Sequence, residues 1–199
     1  MRDNNIASII YRKVTFMHIR ETSISGLVEI FPRVFEDDRG MFFESFNKQV
    51  FENLGLPTHF VQDNQSFSKK GVVRGLHFQN APFAQGKLVR VISGVVLDVA
   101  VDIRPDSPTF GQYEIFELRG DKNNFAYVPE GFAHGFVAME DSIFSYKCTN
   151  VYNKESESGI VWNDPDLGID WGIANPLVSE KDLILPTFKS LFSDSRIRA

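Results

Sequence analysis

The stretch LDVAVDIR, residues 97–104, alternates Leu97, Val99, Val101 and Ile103 with Asp98, Ala100, Asp102 and Arg104. Successive side chains of a strand point to opposite faces, so this period-two pattern reads as a β-strand with one apolar side. Its neighbours carry the same character. KLVRVI (87–92) and QYEIFEL (112–118) are rich in β-branched and aromatic residues, which fit a pleated surface. Turn signals separate the runs at Ser93-Gly94, PDSP (105–108), RGDKNN (119–124) and PEG (129–131). One helix stands out in the first half. Asn47 can cap KQVFENL (48–54), which places Val50, Phe51 and Leu54 on one face before Gly55 and Pro57 end it. Many short strands at this spacing predict an all-β sandwich or barrel with a few short helices, and a jelly roll leads among these architectures.

The bulk composition narrows the functional classes. The 199 residues suit one domain with a sizeable core. That domain is expected over residues 17–187, with an N-terminal extension over 1–16 and a C-terminal tail over 188–199. Nineteen phenylalanines suggest aromatic walls to a core or pocket. The formal charge of -5 argues against nucleic acid, which needs a clustered basic footprint, yet leaves room for a small anionic ligand held by local Arg and Lys. Cys148 is the single cysteine, so an intrachain disulfide and a cysteine-built metal site are excluded. No apolar run reaches bilayer length, and a cytoplasmic location is expected.

Five stretches embed polar residues in apolar or glycine-bracketed surroundings: VQDNQS (61–66), VVRGLHFQ (72–79), QGKLVRV (85–91), PEGFAHGF (129–136) and FSYKCTNVY (144–152). Alternation puts Gln62 and Asn64 on one face, and Tyr146, Cys148 and Tyr152 on one face if that run stays regular. The same rule sends Arg74 and His77 to opposite faces unless Gly75 marks a bulge. A metal site is disfavoured: His77-Phe78-Gln79 lacks a second histidine, and His134 has no evident carboxylate partner. No nucleophile elbow or Cys/His motif is present. His77 is left as either a base or a hydrogen-bonded structural residue.

The runs RVFEDDRGMFFESFN (33–47), FVQDNQSFSKKGVVRGLHFQ (60–79), AQGKLVRV (84–91), DVAVDIRPDSPTFGQY (98–113), PEGFAHGF (129–136), YKCTNVY (146–152) and WNDPDLGIDW (162–171) together resemble the dTDP-4-dehydrorhamnose 3,5-epimerase family. The similarity extends from about Met17 to about Pro186. It implies a cupin-like jelly roll, a homodimer, no cofactor and no metal, and a dTDP-linked 4-keto-6-deoxy sugar as substrate. It implies His77 as the base, Asp182 as the carboxylate that orients it, Lys87 near the ketone oxygen and Tyr146 as the acid on the opposite face. It places Arg39, Glu44, Gln62, Asp63, Asn64, Arg74, Lys87 and His134 around sugar and diphosphate. Tyr152 would stack on the thymine, with Glu157 and Lys181 nearby, and Arg39 and Glu44 could serve the partner subunit's pocket. The competing readings are a 3- or 5-epimerase or a ketoisomerase of another deoxysugar pathway, a metal-dependent cupin oxygenase, and a non-catalytic sugar-nucleotide binding module.

Overall fold

A computed structural model describes the backbone of residues 11–14 and all of residues 16–192. In chain order its strands are β1 Tyr11–Val14, β2 Met17–Glu21, β3 Val28–Pro32, β4 Phe35–Asp37, β5 Gly40–Phe42, β6 Gln62–Ser68, β7 Val72–Gln79, β8 Lys87–Ser93, β9 Val95–Asp102, β10 Tyr113–Arg119, β11 Phe125–Val128, β12 Phe132–Ala138, β13 Ser142–Cys148, β14 Glu157–Gly159 and β15 Leu177–Val178. The helices are α1 Lys48–Leu54, α2 Glu180–Leu183 and α3 Phe188–Phe192.

Two sheets form the sandwich. One runs β1-β2-β3-β11-β8-β13-β6, and the other runs β10-β9-β12-β7-β14 with β15 joined in parallel to β7. The hairpin β4–β5 stands apart from both. Val89, Val91, Val96, Ala100, Phe116, Leu118, Phe132, Phe136 and Phe144 fill the space between the sheets. Each sheet also buries its other side. Val50, Phe51 and Leu54 of α1 cover Leu88, Phe125 and Ile30 on the first. Ile160, Leu167 and Trp171 cover Val99, Val101 and Val137 on the second. The helix α1 forms as its sequence requires: Asn47 Oδ1 accepts from the Val50 amide, and Gly55 closes it in the left-handed region at φ 72°.

The double cover corrects the reading of β9. Alternation along LDVAVDIR reflects two buried faces, not one wet and one dry. Asp98 and Asp102 are both fully buried. Leu97, Val99 and Val101 face the C-terminal cover, whereas Val96 and Ala100 face the sandwich interior, and Asp98 shares their parity. Buried charge needs partners. Asp102 has them: Arg104 Nε at 2.8 Å and Thr109 Oγ1 at 2.7 Å, with the Ser107 hydroxyl also donating. Burial pushes its carboxyl up, but these donors outweigh it and hold it at about 2.

The domain limits are also wider than the sequence suggested. Tyr11 to Val14 pair with Arg20 to Met17, because β2 otherwise leaves an edge of unpaired backbone groups. The strands therefore begin inside the stretch read as an extension; its residues 1–10 and 15 lie outside the described residues. At the other end, Phe188 and Phe192 pack on Phe110 with centroids at 5.1 and 5.4 Å, so α3 belongs to the fold. Residues 193–199 of the expected tail lie outside the described residues.

Candidate active site

A cavity of about 560 Å³ opens between the sheets. One wall carries Arg74 and His77 from β7 and His134 and Phe136 from β12. The facing wall carries Lys87 from β8 and Phe144 and Tyr146 from β13. An adjoining space of about 330 Å³ shares His77, Lys87 and Tyr146 and adds Gln62, Asn64, Tyr152 and Glu157.

Arg74 and His77 reach one cavity because β7 carries one more residue than its partner here. His134 sits opposite His77 and Phe136 opposite Arg74, so three residue steps on β7 match two on β12. Gly75 and Leu76 together occupy the outward position that Gly135 alone fills on β12. Gly75 has φ +131°, and a Cβ on it would stand 2.5 Å from Gly135 Cα and 3.0 Å from the His134 carbonyl oxygen. Only glycine fits that crossing.

His77 Nε2 lies 2.7 Å from Asp182 Oδ1. Asp182 rides on α2, capped by the Ser179 hydroxyl, and its other oxygen accepts from the Gly75 amide at 3.4 Å. Burial raises its carboxyl, but the contacts with His77, Gly75 and Ser179 prevail and hold it below the usual range. An ionised Asp182 accepts Nε2–H and leaves Nδ1 with the lone pair a base needs.

Opposite, burial pulls the Lys87 ammonium below the ordinary lysine range, against the pull of Cys148, Asp98 and Glu157. Tyr146 is pushed up by burial and by Cys148, against Arg74, so its hydroxyl keeps its proton. Arg74 Nε donates to Ser68 Oγ at 3.0 Å. Further out, Tyr152 is half exposed and donates to Glu157 Oε2 at 2.9 Å, and Lys181 Nζ pairs with the same oxygen at 2.8 Å.

Three expected residues lie elsewhere in the single chain. Asp63 falls between Gln62 and Asn64 on β6, so alternation turns it to the far side of the sheet, where it pairs with Lys147 at 2.9 Å. It is not part of this cavity. Arg39, at 90% side-chain exposure, sits in the β4–β5 hairpin paired to Asp37, and Glu44 accepts from Asn47 beside α1. One residue escaped the sequence reading. Asp98, fully buried, holds His134 Nε2 at 2.8 Å through Oδ1 and supplies the carboxylate partner that His134 seemed to lack. Its signal was a charge on a strand between apolar neighbours, read there as a solvent face. Among the described residues, no group of three or more His, Cys, Asp or Glu could hold a metal ion.

A model of the dTDP-4-dehydrorhamnose 3,5-epimerase family matches residues 21–190. The chain belongs to this family. A curated dTDP-4-dehydrorhamnose 3,5-epimerase of Shigella flexneri is 50% identical over 169 residues, 84% of this chain and 93% of the relative. The crystal structure of the epimerase from Elizabethkingia anophelis superposes with a TM-score of 0.84 at 50% identity, covering 88% of this chain and 98% of that one. The Legionella pneumophila enzyme, solved in complex with dTDP-4-keto-L-rhamnose, gives a TM-score of 0.85 at 44% identity over 91% of this chain and 96% of that one. These 3,5-epimerases share the two-sheet β architecture described above, so the jelly-roll expectation is met.

Proposed function

We propose that this chain is a cofactor-independent epimerase that inverts carbons 3 and 5 of dTDP-4-dehydro-6-deoxy-D-glucose, giving dTDP-4-dehydro-L-rhamnose. The observation that carries the reading is the placement of a base and an acid on opposite walls: His77 on one sheet, Tyr146 on the other. The hydrogens flanking a ketone are acidic because the carbanion delocalises into an enolate. His77 Nδ1 removes one, the C–H electron pair moves into the enolate, and Lys87 stabilises the oxygen. Tyr146 then delivers a proton to the other face of the same carbon, so its configuration inverts. The two groups recharge through solvent, and repetition at the second carbon completes the product.

The outer space suits the nucleotide. The half-exposed Tyr152 ring offers a stacking surface, with Glu157 and Lys181 beside it, while Gln62, Asn64, Arg74 and His134 line the way inward. Arg39 and Glu44 lie away from their own chain's cavity, which fits a homodimer in which each hairpin completes the partner's site. The reading takes residues 11–192 as one catalytic domain and the enzyme as cytoplasmic; no helix among the described residues is long and apolar enough to cross a membrane.

The test is to incubate the protein with the 4-keto sugar nucleotide in deuterated water and follow ring positions 3 and 5 by NMR. Wild type is expected to exchange and invert both, and His77→Ala neither. Exchange at one carbon only would make the protein a single-site epimerase. No exchange by wild type at either carbon would refute the reading.

A further inference from the structure

His77–Asp182 is not the only imidazole–carboxylate pair at the cavity. His134 stands directly across from His77 in the β7–β12 ladder, and it too commits Nε2 to a buried aspartate. Asp98 lies diagonal to it on β9, next to Ala100, which is its ladder partner. Asp98 does not line the cavity but reaches it through His134. Its second oxygen, Oδ2, is buried and has no hydrogen-bond partner among the described residues. A buried carboxylate oxygen left in this state is costly and calls for an explanation. The nearest candidate is Lys87, which approaches from the facing sheet and feels the charge of Asp98.

We propose that Asp98 is a positioning residue for the epimerisation: its carboxylate fixes the His134 ring with Nδ1 toward the substrate and holds the Lys87 ammonium in place. His134 and Lys87 then converge on the developing enolate oxygen from opposite sheets. This rests on the epimerase reading. The division of labour is physical. Asp182 makes His77 a proton acceptor, and Asp98 sets the cationic side of the site, so two similar pairs serve opposite ends of one charge movement. The other titratable groups facing the cavity are Arg74 and His77 on β7, Tyr146 and Cys148 on β13, Glu157 on β14, and Lys181 and Asp182 on α2.

The test is Asp98→Asn, which keeps size and hydrogen-bonding capacity but removes the charge. Loss of one preorganised electrostatic partner costs about 10²-fold in kcat, and that is the drop expected here with little change in KM. The diagnostic readout is the pH profile. Asp98 raises the Lys87 affinity for its proton, so without it Lys87 discharges at lower pH and the alkaline limb of kcat moves down. A purely structural role would lower kcat at every pH and leave the limb in place. An unmoved limb, or a kcat within about twofold of wild type, a small fraction of the tenfold per 1.36 kcal/mol scale, overturns the proposal. If Asp98→Asn does not fold, ¹⁵N-histidine NMR of the wild type decides: a His134 ring without a proton on Nε2 overturns the proposal. Wild-type deuterium exchange, run alongside, separates failure of this inference from failure of the epimerase reading.

Discussion

Replacing Gly75 by alanine attacks the feature on which the whole site depends. The substitution adds one methyl group, remote from any ligand, at a backbone with φ +131°. A non-glycine residue held in that region costs about 1–3 kcal/mol in backbone strain alone. The new Cβ would also stand 2.5 Å from Gly135 Cα, where ordinary contacts begin near 3.4 Å, so β7 and β12 must part by nearly the difference. The obstacle is backbone, which cannot rotate away as a side chain would. His77 and His134 face each other across that very crossing, with Arg74 on its other side. A displacement of about 1 Å in a positioned catalytic group costs about 10²-fold in rate. A loss of about 3 kcal/mol lowers the melting temperature of a domain this size by about 6–12 °C. Calorimetry and the NMR exchange assay measure both quantities. An alanine variant with wild-type melting and kcat would refute the claim that this bulge aligns the site.

Four further outcomes are expected. Tyr146→Phe removes the opposing acid, so inversion should fall by about 10²–10⁴-fold while His77 still washes deuterium into the substrate; loss of both together would count against the division of roles. Mixing His77→Ala with Arg39→Ala subunits should restore activity neither has alone, since a heterodimer keeps one site with both residues intact, and a mixture as inactive as its parts would count against the shared site. Asp102 is held at about 2, below its ordinary 3.8. A depressed carboxyl stabilises the fold above its unfolded value and loses that contribution as pH falls through the folded one. About 2 kcal/mol should therefore disappear between about pH 4 and pH 2, and Asp102→Asn should flatten that part of the unfolding curve measured by circular dichroism. Lys181→Met removes the partner of Glu157 at the outer rim. Its effect should fall on KM more than on kcat, as steady-state kinetics can read.

The sequence reached far into this fold because much of it is local. Asn47, the Val50-Phe51-Leu54 face and Gly55 specify α1 through contacts within a few residues. The turns and strand runs follow from the same short-range rules, and the long motifs carry enough information to name the family. Even Gly75 was legible as a breaker of alternation, since glycine inside a strand marks a bulge or a close backbone approach. Asp98 was not legible. A strand of alternating pattern looks the same whether its polar side meets water or a second sheet, and only the packing of β9 beneath both layers distinguishes them. Asp63 fails for a related reason: a motif match names the residue, but the parity of β6 chooses its face.

What the sequence determined by itself was the set of elements and the chemical groups they carry, because capping, turn formation and strand periodicity act over a few residues. What only the tertiary structure decided was which groups meet. Asp182 comes to His77 across 105 positions of chain, and Lys147 rather than a substrate comes to Asp63 across 84. Those meetings are set by sheet order, by the extra residue in β7 and by the covering of both faces of β9, none of which any short stretch encodes. The pairing of His134 with Asp98 was written in neither motif, and it exists because two strands distant in sequence lie side by side with their polar residues turned into the same interior.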